Sequence, residues 1–414
     1  MKKRWLCVVC APIILFLLLN ALLAIMPLVV EPEVFATSCQ LAEMYNFDCT
    51  EHSVTTKDGY ILTVHRVNKQ SSKLKKPPET SANMSEKSNG RLAENKIALL
   101  MHCLECDSSV FLTNTAKKSL GFMLASSDID VWLGNVRGTY YSKKHRKLSI
   151  EDEKYWDFTW QEMAWYDLPA IVDYIKSATN QQKIYYIGQS QGTLIGLTQF
   201  AQDPDLEASI KRSYMLSPFV TLQNIRSPVK YFLGLLYTYG KFIGDRHFFP
   251  FSHTTASKLA ALFCPKNVQG FCLMVYRHFS GFSSPDNLNP SRISVYFAHA
   301  VSGTSLKNVR HYAQLHVQKT AAYFDHLDSD VNLRAYGVEK PPIVDVSNVD
   351  IPVALFAGDT DWLVSEVDVQ YLKDRLPNVF YFKNCTDFAH LDFIWGTHAD
   401  DCAYRTIVSD ILNS

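Results

Sequence analysis

A serine that could act as a nucleophile lies in the pentapeptide Gly188-Gln189-Ser190-Gln191-Gly192. Residues 183–187 before it are β-branched and aromatic and predict a buried strand, whereas residues 193–200 predict a packed helix. Glycines around a serine at a strand-to-helix turn permit the sharp bend of a nucleophile elbow, which raises the hydroxyl above the sheet edge. The pattern therefore predicts a nucleophilic Ser190 with a helix N-terminus beneath it.

A base and an acid that could activate this serine follow it in the chain. Residues 351–357 predict another strand, and the turn after it carries two carboxylates, Asp359 and Asp361. A shorter predicted strand at 379–382 precedes a loop that contains His390. A Ser-Asp-His triad of this architecture has the nucleophile, the acid and the base in this order along the chain, each at the end of a strand. These residues alone leave both aspartates open as the acid.

Further motifs are spread over most of the chain. They lie at residues 56–62, 119–122, 130–139, 165–170, 188–193 and 390–395. Together they resemble the acid lipase family of α/β-hydrolases, and the segment around Cys39 and Cys49 is closer to the plant-type members. The resemblance implies Ser190 as the nucleophile and His390 as the base. It implies Asp361 as the acid, because the residues that follow it keep the family's spacing.

Two backbone N–H groups are expected to stabilise an oxyanion. One belongs to Gln191, directly after the predicted nucleophile. The resemblance implies that the other belongs to Leu104, in the loop after the predicted strand 97–101. Cys103 stands where the family usually has glycine, and Gln189 where it usually has histidine. A side chain at 103 could turn the donor away, and loss of such a donor typically costs about 10²–10³ in turnover. We expect a loop that has adapted to the cysteine.

Composition fits a globular enzyme and excludes other classes. The 414 residues are 47% hydrophobic, which is enough for a sizeable core. The 41 basic residues balance 41 acidic ones without a basic stripe, so we expect no nucleic-acid binding. The C-x-x-C at Cys103-Leu104-Glu105-Cys106 lacks a second pair at zinc spacing. We therefore expect no metal and no cofactor, and no redox role for this motif.

The N-terminus predicts a targeting segment over residues 1–36. Three basic residues precede an apolar run from Trp5 to Val30, long enough to span a bilayer. Ala36 offers a small residue before a cleavage point at Thr37. A cleaved signal peptide and an uncleaved signal anchor both remain open. Both place the rest of the chain in the secretory pathway, as a secreted, lysosomal or vacuolar lumenal protein or as a membrane-anchored lumenal form.

Eight cysteines follow this segment, and an even number in an oxidising compartment favours disulfides. The resemblance implies a bridge between Cys264 and Cys272. Two further expected pairs are Cys39 with Cys49 and Cys385 with Cys402. Sequons predict N-glycosylation at Asn83 and at Asn384, the latter in competition with pairing of its neighbour Cys385.

Predicted strands and helices alternate from residue 96 to 218, which indicates a mostly parallel sheet. The next core strand is predicted to begin at residue 351. The connection to it is much longer than one βα unit requires, and this extra length predicts an inserted helical cap. The expected domains are a first part of the α/β-hydrolase core at 37–218, a cap or lid at 219–345 and a second part of the core at 346–414. Aromatic-rich stretches at 231–239 and 247–251 favour an acyl-chain tunnel and a lid at a lipid–water interface, or the cap's own core.

These features predict a serine lipase or esterase that hydrolyses neutral lipids, triacylglycerols or sterol esters, through an acyl-enzyme. Its expected partners are the lipid substrate and the lipid–water interface, with membrane contact otherwise only through the N-terminal segment. An acyltransferase with the same triad remains open, because the triad does not determine the acyl acceptor. A weakly active or non-catalytic lipid-binding protein also remains open, because of Cys103 and Gln189.

Overall fold

A nine-stranded sheet forms the centre of the protein in a computed structural model that describes residues 30–70, 96–248, 253–266 and 269–414. Its longer strands are β1 (Phe47–Thr55), β2 (Tyr60–Lys69), β3 (Ile97–Met101), β4 (Asp130–Gly134), β5 (Ile184–Gln189), β6 (Ile210–Leu216), β7 (Val353–Gly358) and β8 (Val379–Cys385). A two-residue strand, Lys144–His145, pairs with β2, and a separate two-stranded sheet joins His247–Phe248 to Thr304–Ser305.

The longer strands lie side by side in the order β1-β2-β4-β3-β5-β6-β7-β8. β1 and β2 form an antiparallel hairpin, and β2 also runs antiparallel to β4. All neighbouring pairs from β4 to β8 are parallel. The expected α/β-hydrolase fold is confirmed. Its parallel strands bring their carboxyl ends to one edge of the sheet, where this class of fold places its ligands.

Helices surround the sheet. The α-helices are α1 (Ser38–Met44), α2 (Leu120–Ser126), α3 (Trp160–Glu162), α4 (Leu168–Thr179), α5 (Gln191–Gln202), α6 (Pro204–Ala208), α7 (Val229–Tyr239), α8 (His253–Phe263), α9 (Gly270–Ser280), α10 (Ile293–His299), α11 (Leu306–Gln318), α12 (Ser329–Tyr336), α13 (Glu366–Lys373), α14 (Asp392–Trp395) and α15 (Arg405–Asn413). Short 3₁₀ helices occur at Pro32–Phe35, Ser108–Phe111, Glu153–Trp156, Gly240–Phe242, Pro290–Arg292 and Val346–Asn348, and π-helical turns at Met163–Asp167 and Asp400–Tyr404.

Two hydrophobic cores cover the two faces of the sheet. Every residue of β3 and β5 is buried, as expected for central parallel strands that read as continuous apolar runs. Because successive side chains of a strand point to opposite faces, Leu99 and Tyr186 belong to one core, whereas Leu100 and Ile187 belong to the other. α4 and α5 contribute to the first core, and α2 and α15 to the second. This two-sided burial fixes the strand ends that carry the predicted site residues.

The connection from β6 to β7, residues 217–352, contains α7 to α12. The cap expected at 219–345 falls within this segment, which is called the cap below. Within the described ranges, every helix is too short or too polar to cross a bilayer. Asn83 and residues 1–29 of the expected targeting segment lie outside the described residues.

The described part of the chain contains four disulfides, Cys39–Cys49, Cys103–Cys106, Cys264–Cys272 and Cys385–Cys402. Three of them are the pairs expected from the sequence. The bridge between Cys103 and Cys106 was not among these expectations, which gave neither cysteine a partner. It lies in the loop that follows β3.

The residues just before Thr37 are packed onto the cap. Val34 is fully buried in an apolar cluster with residues of α8 and α10. The carboxylate of Glu33 forms an ion pair with Arg292 at 3.0 Å, and the Thr37 side chain caps α1. Cleavage directly before Thr37 would therefore remove a buried side chain and an ion pair from the fold.

We predict that Val34→Ala lowers the free energy of unfolding by about 2 kcal/mol, because it removes buried methyl groups and leaves a gap. The matched control is Phe35→Ala at the neighbouring, half-exposed position, which should change the free energy by less than about 0.5 kcal/mol. Denaturant titration of both variants measures the difference. Equal effects at the two positions would contradict the packing of residues 32–36 on the cap.

Candidate active site

Ser190 lies between β5 and α5 in a backbone conformation that residues with a side chain rarely adopt, with φ +53° and ψ −113°. Its N–H donates to the carbonyl oxygen of Leu216 at the end of β6, at 3.0 Å. A Cβ atom at Gly192 would lie 2.2 Å from the carbonyl oxygen of Met101, so only glycine permits this approach of the elbow to the end of β3. The fold therefore has a sharp strand-to-helix bend at Ser190, at the position where the sequence predicts a nucleophile elbow.

The three residues of the expected triad meet in a continuous hydrogen-bonded path. Nε2 of His390 lies 2.8 Å from Oγ of Ser190, and Nδ1 of His390 lies 2.8 Å from Oδ2 of Asp361. All three side chains are nearly inaccessible to solvent, with 7% of Ser190, 3% of His390 and 2% of Asp361 exposed. A base can thus reach the serine proton while its other ring nitrogen is held by a carboxylate.

Other donors fix the carboxylate of Asp361. Its Oδ1 accepts from the N–H groups of Leu363 and Val364, both at 2.8 Å, and Oδ2 accepts from the hydroxyl of Ser217 at 3.0 Å. Asp359, the alternative acid, instead accepts from the N–H of Phe388 at 3.3 Å. Of the two aspartates that the residues left open, Asp361 is the one bonded to the histidine. Ser217 carried no sequence signal, because it reaches the site only through the pairing of β6 with β7.

The cap contacts the loops of Asp361 and His390 at the end of α9. The carbonyl oxygen of Ser280 accepts from the N–H groups of both His390 and Trp362, each at 3.2 Å. Gly281 follows with φ +115°, and a Cβ there would lie 2.0 Å from the carbonyl oxygen of Thr360. This junction connects the cap to the loops of Asp361 and His390, and no sequence motif marks it.

The two expected oxyanion donors lie on segments that meet at the elbow. Gln191 is the first residue of α5, where backbone N–H groups lack an intrahelical acceptor. Its side-chain oxygen accepts from Nδ2 of Asn308 at 2.9 Å and from the hydroxyl of Tyr312 at 3.1 Å, both on α11. Leu104 follows β3, and no acceptor bonds its N–H within the described ranges. Both N–H groups are thus available to a ligand, and the cap orients the side chain of Gln191.

The two unusual positions of the site are both buried. Cys103 replaces the family's glycine, and its sulfur is bonded to Cys106 rather than free. The carbonyl oxygen of Cys103 accepts from Nδ1 of His102 at 2.8 Å, while burial lowers the pKa of that imidazole and keeps it neutral. Gln189 is fully buried, and its amide lies 3.4 Å from the carbonyl oxygen of His390. Both substitutions are thus integrated into the packing around the elbow.

One cluster in the described part of the chain brings metal-ligand atoms close together, formed by Cys39, Glu51 and His65. Cys39 is bonded to Cys49, so it has no thiolate to offer a metal. The remaining two groups form an ion pair at 3.6 Å when the imidazole is protonated. This cluster lacks the donor set of a metal site.

A buried carboxyl group lies two residues after His390. Asp392 accepts from the hydroxyl of Tyr276 on α9 and from the N–H of Ala389 at 2.7 Å. Burial raises the pKa of the Asp392 carboxyl to about 7, although these hydrogen bonds oppose the rise. With this raised pKa, the charge of the Asp392 carboxyl in the loop of His390 changes near neutral pH.

We predict that Asp392 makes the folded chain less stable as the pH rises from about 4 to about 7. Its pKa is higher in the folded chain than in the unfolded chain, so its stabilising contribution is complete below about pH 4 and is lost as the pH rises through 7. Relative to Asp392→Asn, the wild-type chain should lose about 1.4 kcal/mol of unfolding free energy per pH unit within this range. Denaturant titrations at pH 4, 5.5 and 7 measure this difference.

The control for this prediction is Asp387→Asn, at an exposed aspartate of the same loop, which should keep the pH dependence of the wild-type chain. A difference between wild type and Asp392→Asn that stays constant from pH 4 to 7 would show that Asp392 titrates normally.

Comparisons with known proteins agree with this geometry. A family model described as a partial alpha/beta-hydrolase lipase region matches residues 39–115, and one described as the alpha/beta hydrolase fold matches residues 117–397. Human lysosomal acid lipase/cholesteryl ester hydrolase is 35% identical over 387 residues, which cover 92% of this chain and 92% of that protein. Human lipase member M is 34% identical over 380 residues, which cover 92% of this chain and 86% of that protein.

Among solved structures, an esterase from Exiguobacterium antarcticum is similar with a TM-score of 0.51. The match covers 88% of this chain and 100% of the esterase, at 10% sequence identity. A likeness at this identity supports the fold alone.

Proposed function

The chain belongs to the acid lipase family of α/β-hydrolases, and on this premise we propose that it hydrolyses ester bonds of neutral lipids. The proposed nucleophile is Ser190, the base is His390 and the orienting acid is Asp361. The observation that carries the proposal is the path from Oγ of Ser190 through the imidazole to the carboxylate, with two contacts of 2.8 Å. The reaction class is that of a carboxylic ester hydrolase.

The proposed reaction is a two-step acyl transfer. Nε2 of His390 accepts the proton of Ser190 as Oγ attacks the ester carbonyl carbon, and Asp361 stabilises the imidazolium that forms. The N–H groups of Leu104 and Gln191 donate to the oxyanion, and the leaving alcohol takes the proton from the imidazolium. Water, deprotonated by His390, then attacks the acyl-serine, and the bond from the acyl carbon to Oγ breaks to release the fatty acid while the imidazolium returns the proton to Oγ of Ser190. These residues perform every step in this scheme.

The proposed substrates are triacylglycerols or sterol esters, which reach the site after the cap moves. Because the hydrogen-bonded triad is almost fully buried, a lipid cannot contact Ser190 in this closed arrangement. An apolar stripe, defined as Tyr231, Leu235, Tyr239 and Phe242, is 58–77% exposed on and just after α7. The spacing of four residues aligns Tyr231, Leu235 and Tyr239 along one face of α7, and Phe242 follows in the next turn. Exposed apolar surface of this kind suits a lipid–water interface.

The proposed location is the lumen of the secretory pathway, with the protein secreted or in a lysosome or vacuole. The four disulfides of the described ranges are typical of an oxidising compartment. We also propose glycosylation at Asn83 and Asn384. The side chain of Asn384 is exposed on β8 although its neighbour Cys385 is disulfide-bonded, which keeps this sequon accessible.

We predict that Ser190→Ala abolishes both labelling by a fluorophosphonate and hydrolysis of p-nitrophenyl butyrate. Asp361→Asn should lower turnover by about 10⁴, because the imidazole loses the carboxylate that fixes its tautomer. The matched control is Asp359→Asn, which should change turnover by less than about tenfold. Circular dichroism verifies that each variant is folded.

Labelling of the folded Ser190→Ala variant would identify another nucleophile and refute the proposed triad. A wild-type chain that is folded but inert toward the fluorophosphonate and toward esters would instead favour a lipid-binding protein. Transfer of the acyl group to a sterol or glycerol acceptor in preference to water would favour an acyltransferase.

We predict that Tyr231→Ser combined with Leu235→Ser lowers turnover of emulsified trioleoylglycerol at least about tenfold. Turnover of soluble p-nitrophenyl butyrate should change by less than about twofold, because the stripe lies on the cap surface and contacts the interface rather than the ester. The control is Val367→Ser on α13, which removes an equally exposed apolar residue outside the cap. A parallel loss on both substrates would assign the stripe to the folding of the cap instead.

A further inference from the structure

The Cys103–Cys106 disulfide closes the turn that contains Leu104. Only Leu104 and Glu105 lie between the two bonded cysteines, and each cysteine is 3% exposed. The same turn contains a hydrogen bond from the N–H of Cys106 to the carbonyl oxygen of Cys103, at 3.3 Å. The bridge therefore spans the residue whose N–H is the proposed oxyanion donor.

This disulfide contributes less to overall stability than the other bridges. Its cysteines are 3 residues apart in sequence, compared with separations of 8, 10 and 17 for the other three pairs. The conformational entropy that a disulfide removes from the unfolded chain grows with the length of the loop it closes. A bridge over so short a loop acts mainly on local geometry, so the consequence of losing it should appear in the turn itself.

Without the bridge, two features of Glu105 would favour a different conformation of the turn. Glu105 has φ +62°, which is disfavoured for a residue with a Cβ atom. Both of its carboxyl oxygens are buried, and burial raises the pKa of this carboxyl to about 8, although the backbone of Gly303 and the charge of Lys143 oppose the rise. Outside the turn, the N–H of Ser302 in the cap holds the carbonyl oxygen of Glu105 at 2.6 Å. A freed turn could move Glu105 toward solvent, and Leu104 would move with it.

We propose that the Cys103–Cys106 disulfide is a positioning element of the oxyanion hole, which holds the N–H of Leu104 toward the position of the developing oxyanion. The inference rests on the proposed function of Ser190 and its partners. The bridge fixes the backbone of the turn from Cys103 to Cys106, although position 103 carries a side chain. It acts through Leu104 and does not itself contact the substrate.

The expected signature is a loss of turnover without a loss of binding. An oxyanion donor interacts more strongly with the transition state than with the ester, so its displacement lowers kcat and leaves KM almost unchanged. Complete removal of such a donor typically costs about 10²–10³ in kcat. Because a relaxed turn still samples the correct geometry part of the time, we expect a decrease in kcat of about 10- to 100-fold.

The experiment compares Cys103→Ser/Cys106→Ser with Cys39→Ser/Cys49→Ser, which removes a disulfide between α1 and β1. Hydrolysis of p-nitrophenyl butyrate gives kcat and KM, and thermal unfolding gives Tm. The first variant should lose about 10- to 100-fold in kcat, with KM within about twofold and little change in Tm. The second should keep the wild-type kcat and lose more Tm, since it opens the longer loop. Cys103→Ala/Cys106→Ala repeats the test without polar side chains in the buried turn.

The inference is overturned if both double variants at 103 and 106 keep the wild-type kcat while Ser190→Ala is inactive, a result that leaves the proposed function intact. It is also overturned if these variants do not fold, because the bridge would then be needed for the fold as a whole. Retained hydrolysis in Ser190→Ala would refute the proposed function and the inference together. Single Cys103→Gly also breaks the bridge, so the inference predicts lower turnover for it rather than a gain.

Discussion

The close contact between the elbow and the end of β3 is the constraint on which the site depends. Gly192 lies against the carbonyl of Met101 with no space for a Cβ atom. This contact joins the segment of Ser190 to the strand that leads into the turn of Leu104. Any residue larger than glycine would clash with the Met101 carbonyl and push the proposed nucleophile away from the end of β3, where Met101 pairs with Gly188 of β5.

The cap also forms hydrogen bonds with the segments that carry the proposed site residues. The last carbonyl of α9 bonds the loops of Asp361 and His390, while α11 bonds the side chain of Gln191. If substrate entry moved the whole cap as one body, these contacts would break, and the proposed acid, the proposed base and one proposed oxyanion donor would lose support. The geometry therefore favours an opening limited to elements without such contacts, and the exposed helix α7 is the one that carries the apolar stripe.

The sequence was most informative where a local pattern determines the structure. β3 and the strand before Asp361 were predictable because buried parallel strands are short apolar runs. The elbow was predictable because a strand-to-helix turn around a serine needs small neighbouring residues. The choice between Asp359 and Asp361 needed the family's spacing, since one turn presents both carboxylates. Ser217 and Asn308 had no signal, because residues far away in the chain bring them to the site.

Two features of the structure could not be predicted, because the sequence around each of them fits more than one interpretation. Val34 belongs to the fold, yet it lies within the expected targeting segment of residues 1–36, where an apolar residue has the same sequence pattern whether it is buried or removed. A C-x-x-C pattern is typical of metal and redox sites, and its spacing alone gives no reason to pair its two cysteines with each other. The deciding feature was burial against the cap for Val34 and the backbone conformation of the turn for Cys103 and Cys106, and composition contains neither.

Buried titratable groups act on stability in opposite directions as the pH changes. Glu105 and Asp392 have pKa values raised to about 8 and about 7, so their contribution to stability is lost as the pH rises. Burial lowers the pKa of His247 and His299 to about 4, well below the unfolded value of about 6.5, so stability is lost as the pH falls through this interval. Between about pH 4 and 6.5 the two sets oppose each other. As the pH changes within this interval, the stability lost from one set is therefore offset in part by the stability gained from the other.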